Sequence, residues 1–172
     1  MLRGKHVYLS PLEPADSETL FRWINEAELV RLNAPYRPVA WSAHTEWFAS
    51  AGRDPSTVVF AIRRAVNDGL VGVVQLIHIH SVHRSTELTI RIGAGEDRDR
   101  GYGTEAVELA KRFAFEDLNL ERLYLHVFAD NSRAIRVYEK AGLVREGQLR
   151  RAAYIHGKWT DVVVMACLRD KT

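Results

Sequence analysis

The stretch Arg98-Asp99-Arg100-Gly101-Tyr102-Gly103-Thr104-Glu105-Ala106 decides how the chain folds, because a predicted strand ends before it and a predicted helix begins within it. Its two glycines let the backbone come close to a ligand. The free N–H groups at the start of the helix, together with the helix dipole, favour an anionic phosphate. Arg98 and Arg100 add positive charge. Residues 98–104, called the glycine loop below, are therefore predicted to bind a pyrophosphate group.

The glycine loop also admits other interpretations. A solvated loop with exposed arginines remains open from these residues alone. A P-loop is excluded, because no Gly-Lys-Ser/Thr follows. The dinucleotide-binding fingerprint fits Gly101-x-Gly103-x-x-Ala106, and Asp130 ends the next predicted strand. That fingerprint places its first glycine directly after the strand, whereas residues 93–100 stand between the strand and the first glycine here.

The residues on both sides of the glycine loop predict a βαβα unit. Apolar residues alternate before the loop and recur at helical spacing after it, which are the periods of a strand and of a helix. Asn131 and Gly142 suit the two ends of the last helix. The predicted elements are a strand over 86–92, a helix over 104–118, a strand over 123–127 and a helix over 132–141.

The rest of the sequence predicts antiparallel strands and two N-terminal helices. Asn67-Asp68-Gly69 is a strong hairpin signal, and a second hairpin is predicted around His156-Gly157-Lys158. Pro14-Ala15-Asp16 opens the first helix, whose apolar face extends to Ala27, and Ser42 is expected to cap the second helix. The predicted strands are 6–9, 57–62 and 70–80, the C-terminal hairpin covers 149–168, and 33–39, with its two prolines, is predicted to be a loop.

Composition places the chain among ordinary globular proteins. Its 172 residues suit one domain over 1–172, and 47% hydrophobic with 27% charged residues exclude a largely disordered chain. With 24 Lys and Arg against 22 Asp and Glu, the net charge of +2 argues against nucleic-acid binding through a strong positive field. No apolar run reaches the roughly 18 residues of a membrane span, and no signal-peptide core is present. The single cysteine, Cys167, allows no intramolecular disulfide, so a cytoplasmic protein is predicted.

Two motifs in this order resemble those of a known family. Arg98-x-x-Gly101-x-Gly103 after a strand resembles the acyl-CoA-binding motif of the GNAT (Gcn5-related) N-acetyltransferases, and residues 131–143 are similar to that family's second motif. Leu70-Val71-Gly72, residues 83–87 and Ile155-His156-Gly157-Lys158-Trp159 resemble the RimJ/RimL-type and spermidine N-acetyltransferase subgroup. The resemblance implies the GNAT acyl-CoA N-acyltransferase fold, an α+β (α/β) fold with a mostly antiparallel central sheet flanked by helices.

The resemblance also implies an activity. The enzyme would use acetyl-CoA as co-substrate and no metal, and its partner would be an amine acceptor. A primary amine, on a peptide N-terminus or a small molecule, would attack the thioester directly in a ternary complex. A polyamine acetyltransferase of the spermidine type is one alternative, and a non-catalytic acyl-CoA-binding sensor is an alternative of a different class. Assembly as a homodimer is left open.

The family roles extend to individual residues. Tyr138 matches the tyrosine that acts as general acid towards the CoA thiolate, and Glu87 matches an acidic position suited to removing the ammonium proton. From the residues alone, Tyr138 packing on the sheet and Glu87 facing solvent remain open. Asn131 and Tyr138 lie about two turns apart and share one helix face. The resemblance implies that Ile90, Arg91 and Ile92 pair with pantetheine, and that Arg98, Asp99, Arg100, Gly101, Tyr102, Gly103, Thr104 and Asn131 also contact CoA.

Other side chains support weaker hypotheses. His78 and His80 fit a His-x-His zinc pair, but a polar strand face is favoured because no cysteine or carboxylate cluster accompanies them. Cys167 lies among apolar residues and is expected to be buried rather than nucleophilic. The four tryptophans, Trp23, Trp41, Trp47 and Trp159, could line a substrate pocket, but the spacing of Trp23 and Trp47 favours the core for these two.

The segment between the two N-terminal helices bears on the acceptor. Residues 32–41 contain no acid and one arginine, Arg37, whereas a polyamine acetyltransferase needs carboxylates for several ammonium groups. Each unscreened like charge costs about 1 kcal/mol at roughly 4 Å in water. The sequence therefore predicts that a singly charged amine is preferred over spermidine.

Overall fold

The computed structural model describes residues 1–31, 37–93 and 95–170, and a single sheet runs through its centre. The strands are β1 (Leu2–Arg3), β2 (Val7–Ser10), β3 (Val58–Arg64), β4 (Leu70–His80), β5 (Ser85–Ile92), β6 (Arg122–Phe128), β7 (Val144–Ile155) and β8 (Lys158–Leu168). Across the sheet they follow the order β1-β2-β3-β4-β5-β6-β8-β7.

Helices cover both faces of this sheet. Across the described ranges, none of them combines the length and the apolar character that a membrane span needs. They are α1 (Ser17–Asn25), α2 (Ala27–Val30), α3 (Trp41–Ser50), α4 (Tyr102–Arg112) and α5 (Ser132–Lys140), with 3-10 turns at Pro14–Asp16 and Gly95–Asp97 and one π-helical turn, Phe113–Asp117, after α4.

The predicted ends of α5 are confirmed. The side chain of Asn131 accepts a hydrogen bond from the backbone N–H of Ala134 at 3.1 Å, which caps the helix. Gly142 follows the helix with φ of +87°, in the left-handed region that glycine adopts at little cost.

Several predicted boundaries are wrong for local reasons. The first helix does not continue to Ala27, because Glu26 is extended (φ −78°, ψ 114°) and separates α1 from α2. The second helix begins at Trp41 with Ala40 as its N-cap, so Ser42 lies inside the first turn and caps nothing.

Two further departures concern strands and the proline-containing loop. β7 begins at Val144 rather than at 149, because it pairs with β8 from Ala166 onward. β1 was not predicted, since two residues carry no periodicity. Of the predicted loop over 33–39, positions 33–36 lie outside the described residues.

One pair of neighbouring strands is parallel and the others are antiparallel. The parallel pair is β5 with β6, which α4 connects. A crossover through a helix returns the chain in its original direction, so the two strands run the same way. The predicted mostly antiparallel sheet with a βαβα unit is confirmed.

The apolar core lies between the sheet and the helices α4 and α5. Side chains of a strand alternate between faces, and Leu88, Leu123 and Leu125 point to this face and are buried. Ala106 and Ala110 of α4 are also fully buried, and their small side chains let the helix lie close to the strands. This packing fixes the N-terminus of α4 beside the sheet.

A buried ion pair ties the start of α1 to the sheet. Arg63 Nη2 lies 2.7 Å from Asp16 Oδ2, and Arg63 Nε donates to Ser10 Oγ at 3.0 Å. All three side chains are buried. Directional contacts of this kind fix where the N-terminal helices sit on the sheet.

The sheet opens between β5 and β6. Their register pairs Ser85–Glu87 with Arg122–Tyr124. Among the described residues no pair follows, although β5 continues to Ile92 and β6 to Phe128. The two strands therefore diverge and leave a wedge-shaped gap in the middle of the sheet.

We expect Asp16→Asn to lower the free energy of unfolding by about 3 kcal/mol, because it removes the buried counter-charge of Arg63 and leaves only the exposed carboxylate of Glu13, 3.8 Å away. Denaturant unfolding followed by circular dichroism measures the loss. The matched control is Glu139→Gln, since Glu139 pairs with Arg145 at the exposed surface, where such pairs contribute about 0–1 kcal/mol. Equal losses in both variants would contradict the anchoring role of Asp16.

Candidate functional site

A cleft of about 1110 Å³ occupies the gap where β5 and β6 diverge. Residues of α1 and α3 form one wall, and the glycine loop, α4 and α5 form the other. The volume exceeds that of most small-molecule pockets, about 300–1,000 Å³, so an extended ligand and a second, smaller one fit together. The predicted site residues that line it are Glu87, Ile90, Arg91, Ile92, Arg98, Asp99, Gly101, Tyr102, Gly103, Thr104, Asn131 and Tyr138.

The glycine loop ends at a helix start that no side chain caps. Gly101 is the N-cap of α4 and has φ of +80°, a conformation that favours glycine. The N–H groups of residues 102–104 are therefore available to a ligand. A Cβ on Gly103 would lie 3.7 Å from Val137 Cγ1 and 3.8 Å from Ile92 Cγ1, which is ordinary contact. Packing alone thus does not require glycine at that position.

Two charged side chains of the glycine loop are held by neighbouring helices. Arg98 Nη1 lies 2.9 Å from Glu28 Oε1 of α2, and Asp99 Oδ1 lies 3.2 Å from Arg133 Nε of α5. These ion pairs tie the loop to both walls of the cleft. Because Glu28 already balances part of the charge of Arg98, the backbone N–H groups carry more of the predicted anion binding than the sequence suggested.

Arg100 is the predicted site residue that does not line the cleft. Its Nε donates to the carbonyl oxygen of Glu96 at 2.6 Å, and the residue is exposed. The competing dinucleotide fingerprint does not fit the fold, because the sheet is mostly antiparallel and residues 93–101 separate β5 from α4.

Tyr138 lies on the face of α5 that borders the cleft. Its ring belongs to the core, while its hydroxyl has no hydrogen-bond partner among the described residues. Burial raises the pKa of Tyr138 to about 12, so the phenol stays protonated at neutral pH. Asn131, at the other end of the helix, lines the same cleft, as the two-turn spacing predicts.

Both carboxylate oxygens of Glu87 contact imidazole rings. Oε1 lies 2.8 Å from His126 Nδ1, and Oε2 lies 3.0 Å from His78 Nδ1. The contact with His126 follows from the parallel pairing, which sets Glu87 opposite Tyr124 and places His126 two residues later on the same face. His126 borders the cleft, and because its Nδ1 contacts Glu87, its Nε2 is the nitrogen available to a ligand.

Sequence reasoning missed the side chains of Arg91 and His126 and the role of Gly93. A Cβ on Gly93 would collide with the ring of Trp23, so this glycine lets α1 approach the sheet. Arg91 was predicted only for its backbone, yet its side chain borders the cleft and its Nε is buried without a hydrogen-bond partner. The available signal was a charged residue between Ile90 and Ile92 in a central strand.

The expectation that Trp47 belongs to the core is wrong. The side chain is 37% exposed and borders the cleft, because α3 turns His44 towards the interior instead. Trp23 is half-buried and borders the same cleft. Cys167 is half-buried rather than fully buried, and burial raises the pKa of its thiol to about 11, which leaves little reactive thiolate at neutral pH.

The paired histidines of β4 do not act together. The register of β4 against β5 shifts between Ile77 and His80, and His78 has φ of +53°. His78 contacts Glu87, whereas His80 stacks on His83 with ring centroids 4.2 Å apart. Within residues 1–31, 37–93 and 95–170, no group of three or more His, Cys, Asp or Glu side chains is arranged to hold a metal ion.

Comparison with known proteins gives a consistent result. A family model described as an acetyltransferase (GNAT) domain matches residues 6–144. The spermidine N(1)-acetyltransferase of Vibrio cholerae serotype O1 is 39% identical over 102 residues, which cover 59% of this chain and 58% of that protein. The spermidine N(1)-acetyltransferase of Escherichia coli (strain K12) is 32% identical over 167 residues, covering 96% of this chain and 87% of that protein.

A solved structure extends the likeness to three dimensions. The crystal structure of spermidine N-acetyltransferase from Vibrio cholerae, in complex with CoA and spermine, matches with a TM-score of 0.86 and 30% sequence identity. The match covers 95% of each chain.

Proposed function

This chain belongs to the GNAT acetyltransferase family, and we propose that it transfers the acetyl group of acetyl-CoA to a primary amine bound in the cleft. The observation that carries the proposal is one cleft that joins an uncapped helix start, the Glu87–His126 pair and the phenol of Tyr138. The family and its named relatives are acetyltransferases, so the alternative of a non-catalytic acyl-CoA sensor is set aside.

The glycine loop and α5 suit the phosphates of CoA. The N–H groups of residues 102–104 present positive partial charge at the start of α4. The same cleft is also lined by three cationic side chains of α5, those of Arg133, Arg136 and Lys140. This set of donors and cations fits a multiply charged anion, which supports CoA as the ligand.

The free edge of β5 suits the pantetheine arm. Past Glu87 the strand has no paired neighbour on the β6 side among the described residues. The peptide groups of residues 90–92 that face the gap are therefore available to the amides of pantetheine, which would bind as an added strand does. This arrangement would bring the thioester between Glu87 and Tyr138.

The acceptor must lose a proton before it can attack, and we assign this step to Glu87 and His126 together. The contact with Glu87 holds Nδ1 of His126, so Nε2 accepts the proton of the ammonium group. The carboxylate then stabilises the imidazolium that forms. In this assignment Glu87 acts through His126 rather than as the sole base.

Tyr138 completes the transfer. The amine nitrogen bonds to the carbonyl carbon of the thioester, and the C–S bond breaks with its electron pair going to sulfur. Tyr138 gives its phenolic proton to the thiolate. The attacking nitrogen gives up its second proton, which solvent relays to the phenolate, and His126 releases the first proton to solvent, so one proton is released overall. Burial raises the pKa of Tyr138 to about 12, and the same burial raises the proton affinity of a thiolate formed beside it. The products are the N-acetylated amine and CoA.

The charges of the cleft favour an acceptor with one ammonium group. Three carboxylates line it among the described residues: Asp97 is paired with Arg64, Asp99 is paired with Arg133, and Glu87 contacts imidazoles. Of these three carboxylates, only Glu87 is not paired with an arginine, so it is the one that remains to bind an ammonium group. The polyamine alternative is the second candidate, because the relatives are named spermidine acetyltransferases. Of the acid-free segment 32–41, positions 32–36 lie outside the described residues.

Two further expectations belong to this proposal. They are one catalytic domain over residues 1–172 and a cytoplasmic location. Each stays a prediction, and assembly as a homodimer is left open.

We expect Gly103→Val to weaken CoA binding by roughly tenfold or more, which corresponds to about 1.4 kcal/mol. A Cβ at this position makes only ordinary contacts, so the variant should fold, while the added methyl groups would narrow the cleft beside the N–H groups of the helix start. Calorimetric titration with CoA measures the effect, and a melting curve confirms folding. The matched control is Gly147→Val, because a side chain at Gly147 meets no atom within 4 Å and lies outside the cleft. Unchanged affinity in the Gly103 variant would contradict the phosphate site.

We expect Tyr138→Phe to lower kcat by about 10²-fold, because the ring stays while the proton donor is lost. Release of free thiol from acetyl-CoA in the presence of an amine measures the rate. The affinity for CoA is the control and should not change. A wild-type kcat with chemistry rate-limiting would show that Tyr138 only packs. If the wild-type protein binds CoA and no amine accelerates thiol release, acetyl transfer itself is refuted.

The assignment of His126 as proton acceptor predicts different effects for the two histidines that contact Glu87. We expect His126→Asn to lower kcat/KM by about 10²-fold, whereas His78→Asn should change it by less than about threefold, because His78 is largely exposed and does not border the cleft. Glu87→Gln should also lose activity. Full activity of the His126 variant beside an inactive Glu87 variant would make Glu87 the sole base.

A further inference from the structure

Arg91 is a cation without a partner in the wall of the cleft. Its Nε is buried and makes no hydrogen bond, and no carboxylate lies within ion-pair distance of the residue among those that the structure describes. Burial lowers the pKa of Arg91, and no neighbouring negative charge opposes that shift. A guanidinium remains protonated even so, and a half-buried charge without a partner loses part of its hydration without compensation. A bound anion would remove that cost.

The three described carboxylates that border the cleft do not supply this negative charge. Asp97 Oδ2 lies 2.6 Å from Arg64 Nη2, and Asp99 is paired with Arg133 at the glycine loop. Glu87 contacts two imidazoles. The described carboxylates that border the cleft are therefore all engaged elsewhere, and the anion must come with a ligand.

The position of Arg91 points to the acceptor side of the cleft. Strand side chains alternate, so Glu87, Thr89 and Arg91 of β5 share one face, which is the face opposite to buried Leu88 and the α4 side of the sheet. The register with β4 sets Arg91 opposite Val73, which borders the cleft together with residues of α1. CoA is proposed to run along the strand edge and to α4, so Arg91 faces the other ligand.

We propose that Arg91 is an anion-binding subsite for the acceptor, and that the preferred acceptor is a primary amine carrying a carboxylate. The proposal rests on the proposed acetyl transfer, in which the ammonium group of the acceptor lies beside Glu87 and His126. Glu87 and Arg91 are four residues apart on β5, a span of about 13 Å. A ligand that contacts both side chains must bridge this span. An amino acid with several bonds between nitrogen and carboxylate bridges that span, with the planar guanidinium pairing the carboxylate.

Matched pairs of acceptors test the subsite. Glycine, 4-aminobutyrate and 6-aminohexanoate are each compared with their own primary amide, and spermidine is added at the same salt concentration. We expect kcat/KM to favour a carboxylate over its amide by about 10- to 100-fold, with an optimum at one chain length. Spermidine should be poorer than that acid. No preference for the carboxylate at any length would overturn the proposal.

Two variants assign the preference to Arg91. Arg91→Met removes the charge at similar length and should abolish the preference without lowering the melting temperature, because it also removes a buried charge. Arg91→Lys keeps the charge but lacks the planar pair of donors, so this variant should retain part of the preference for the carboxylate. The affinity for CoA should be unchanged in both variants. A weaker affinity for CoA with an intact acceptor preference would assign the anion to a phosphate of CoA and overturn the proposal.

A binding measurement separates this proposal from acetyl transfer itself. Calorimetric titration of 6-aminohexanoate and of its amide into the protein saturated with CoA needs no turnover. Tighter binding of the acid in the wild type, lost in Arg91→Met, supports the subsite even if no amine is acetylated. Equal binding of acid and amide in the wild type refutes the subsite even if acetylation of amines proceeds.

Discussion

The divergence of β5 and β6 after the Glu87–Tyr124 pair is the constraint on which the rest of the site depends. A continuous parallel ladder would have used every peptide group of β5 and closed the sheet. Because the ladder stops, the strand keeps a free edge and the sheet contains a gap that reaches its centre. The last paired residue, Glu87, also stands at the apex of that gap. One interruption in hydrogen bonding thus supplies both a binding edge and a rigidly held carboxylate.

The walls of the gap are held by two different kinds of contact. On the α4 side, close packing of small apolar residues such as Ala106 and Ala110 fixes the helix whose N-terminus meets the glycine loop. On the other side, the buried Arg63–Asp16 ion pair and the contact of Trp23 with Gly93 fix α1. The second wall therefore depends on these specific contacts in addition to apolar burial at Leu20, Leu29 and Val30.

Charge divides the cleft in the same way. The end near α5 carries cations and unpaired backbone N–H groups, which suit the phosphates of CoA. The acceptor face of β5 carries one carboxylate, Glu87, and one guanidinium, Arg91. One solved structure named for spermidine shares the fold at a TM-score of 0.86, yet this face carries one charge of each sign, which is complementary to a zwitterion rather than to a polycation. Likeness of fold and choice of acceptor are therefore separable, because the acceptor meets only a few side chains.

The sequence by itself determined the order of elements, the βαβ unit and the glycine-containing start of α4, because strand and helix periods, Asn131, Gly142 and the glycine loop are local signals. Through family resemblance it also pointed to Tyr138 and Glu87, whose catalytic roles stay predictions. Only the tertiary structure decided which side chains meet. The contact of Glu87 with His126 joins two strands through a parallel register. Arg91 Nε is unpaired because none of the described elements around it supplies a hydrogen-bond acceptor. Both depend on contacts between residues far apart in the chain, and such contacts leave no periodic pattern in the sequence.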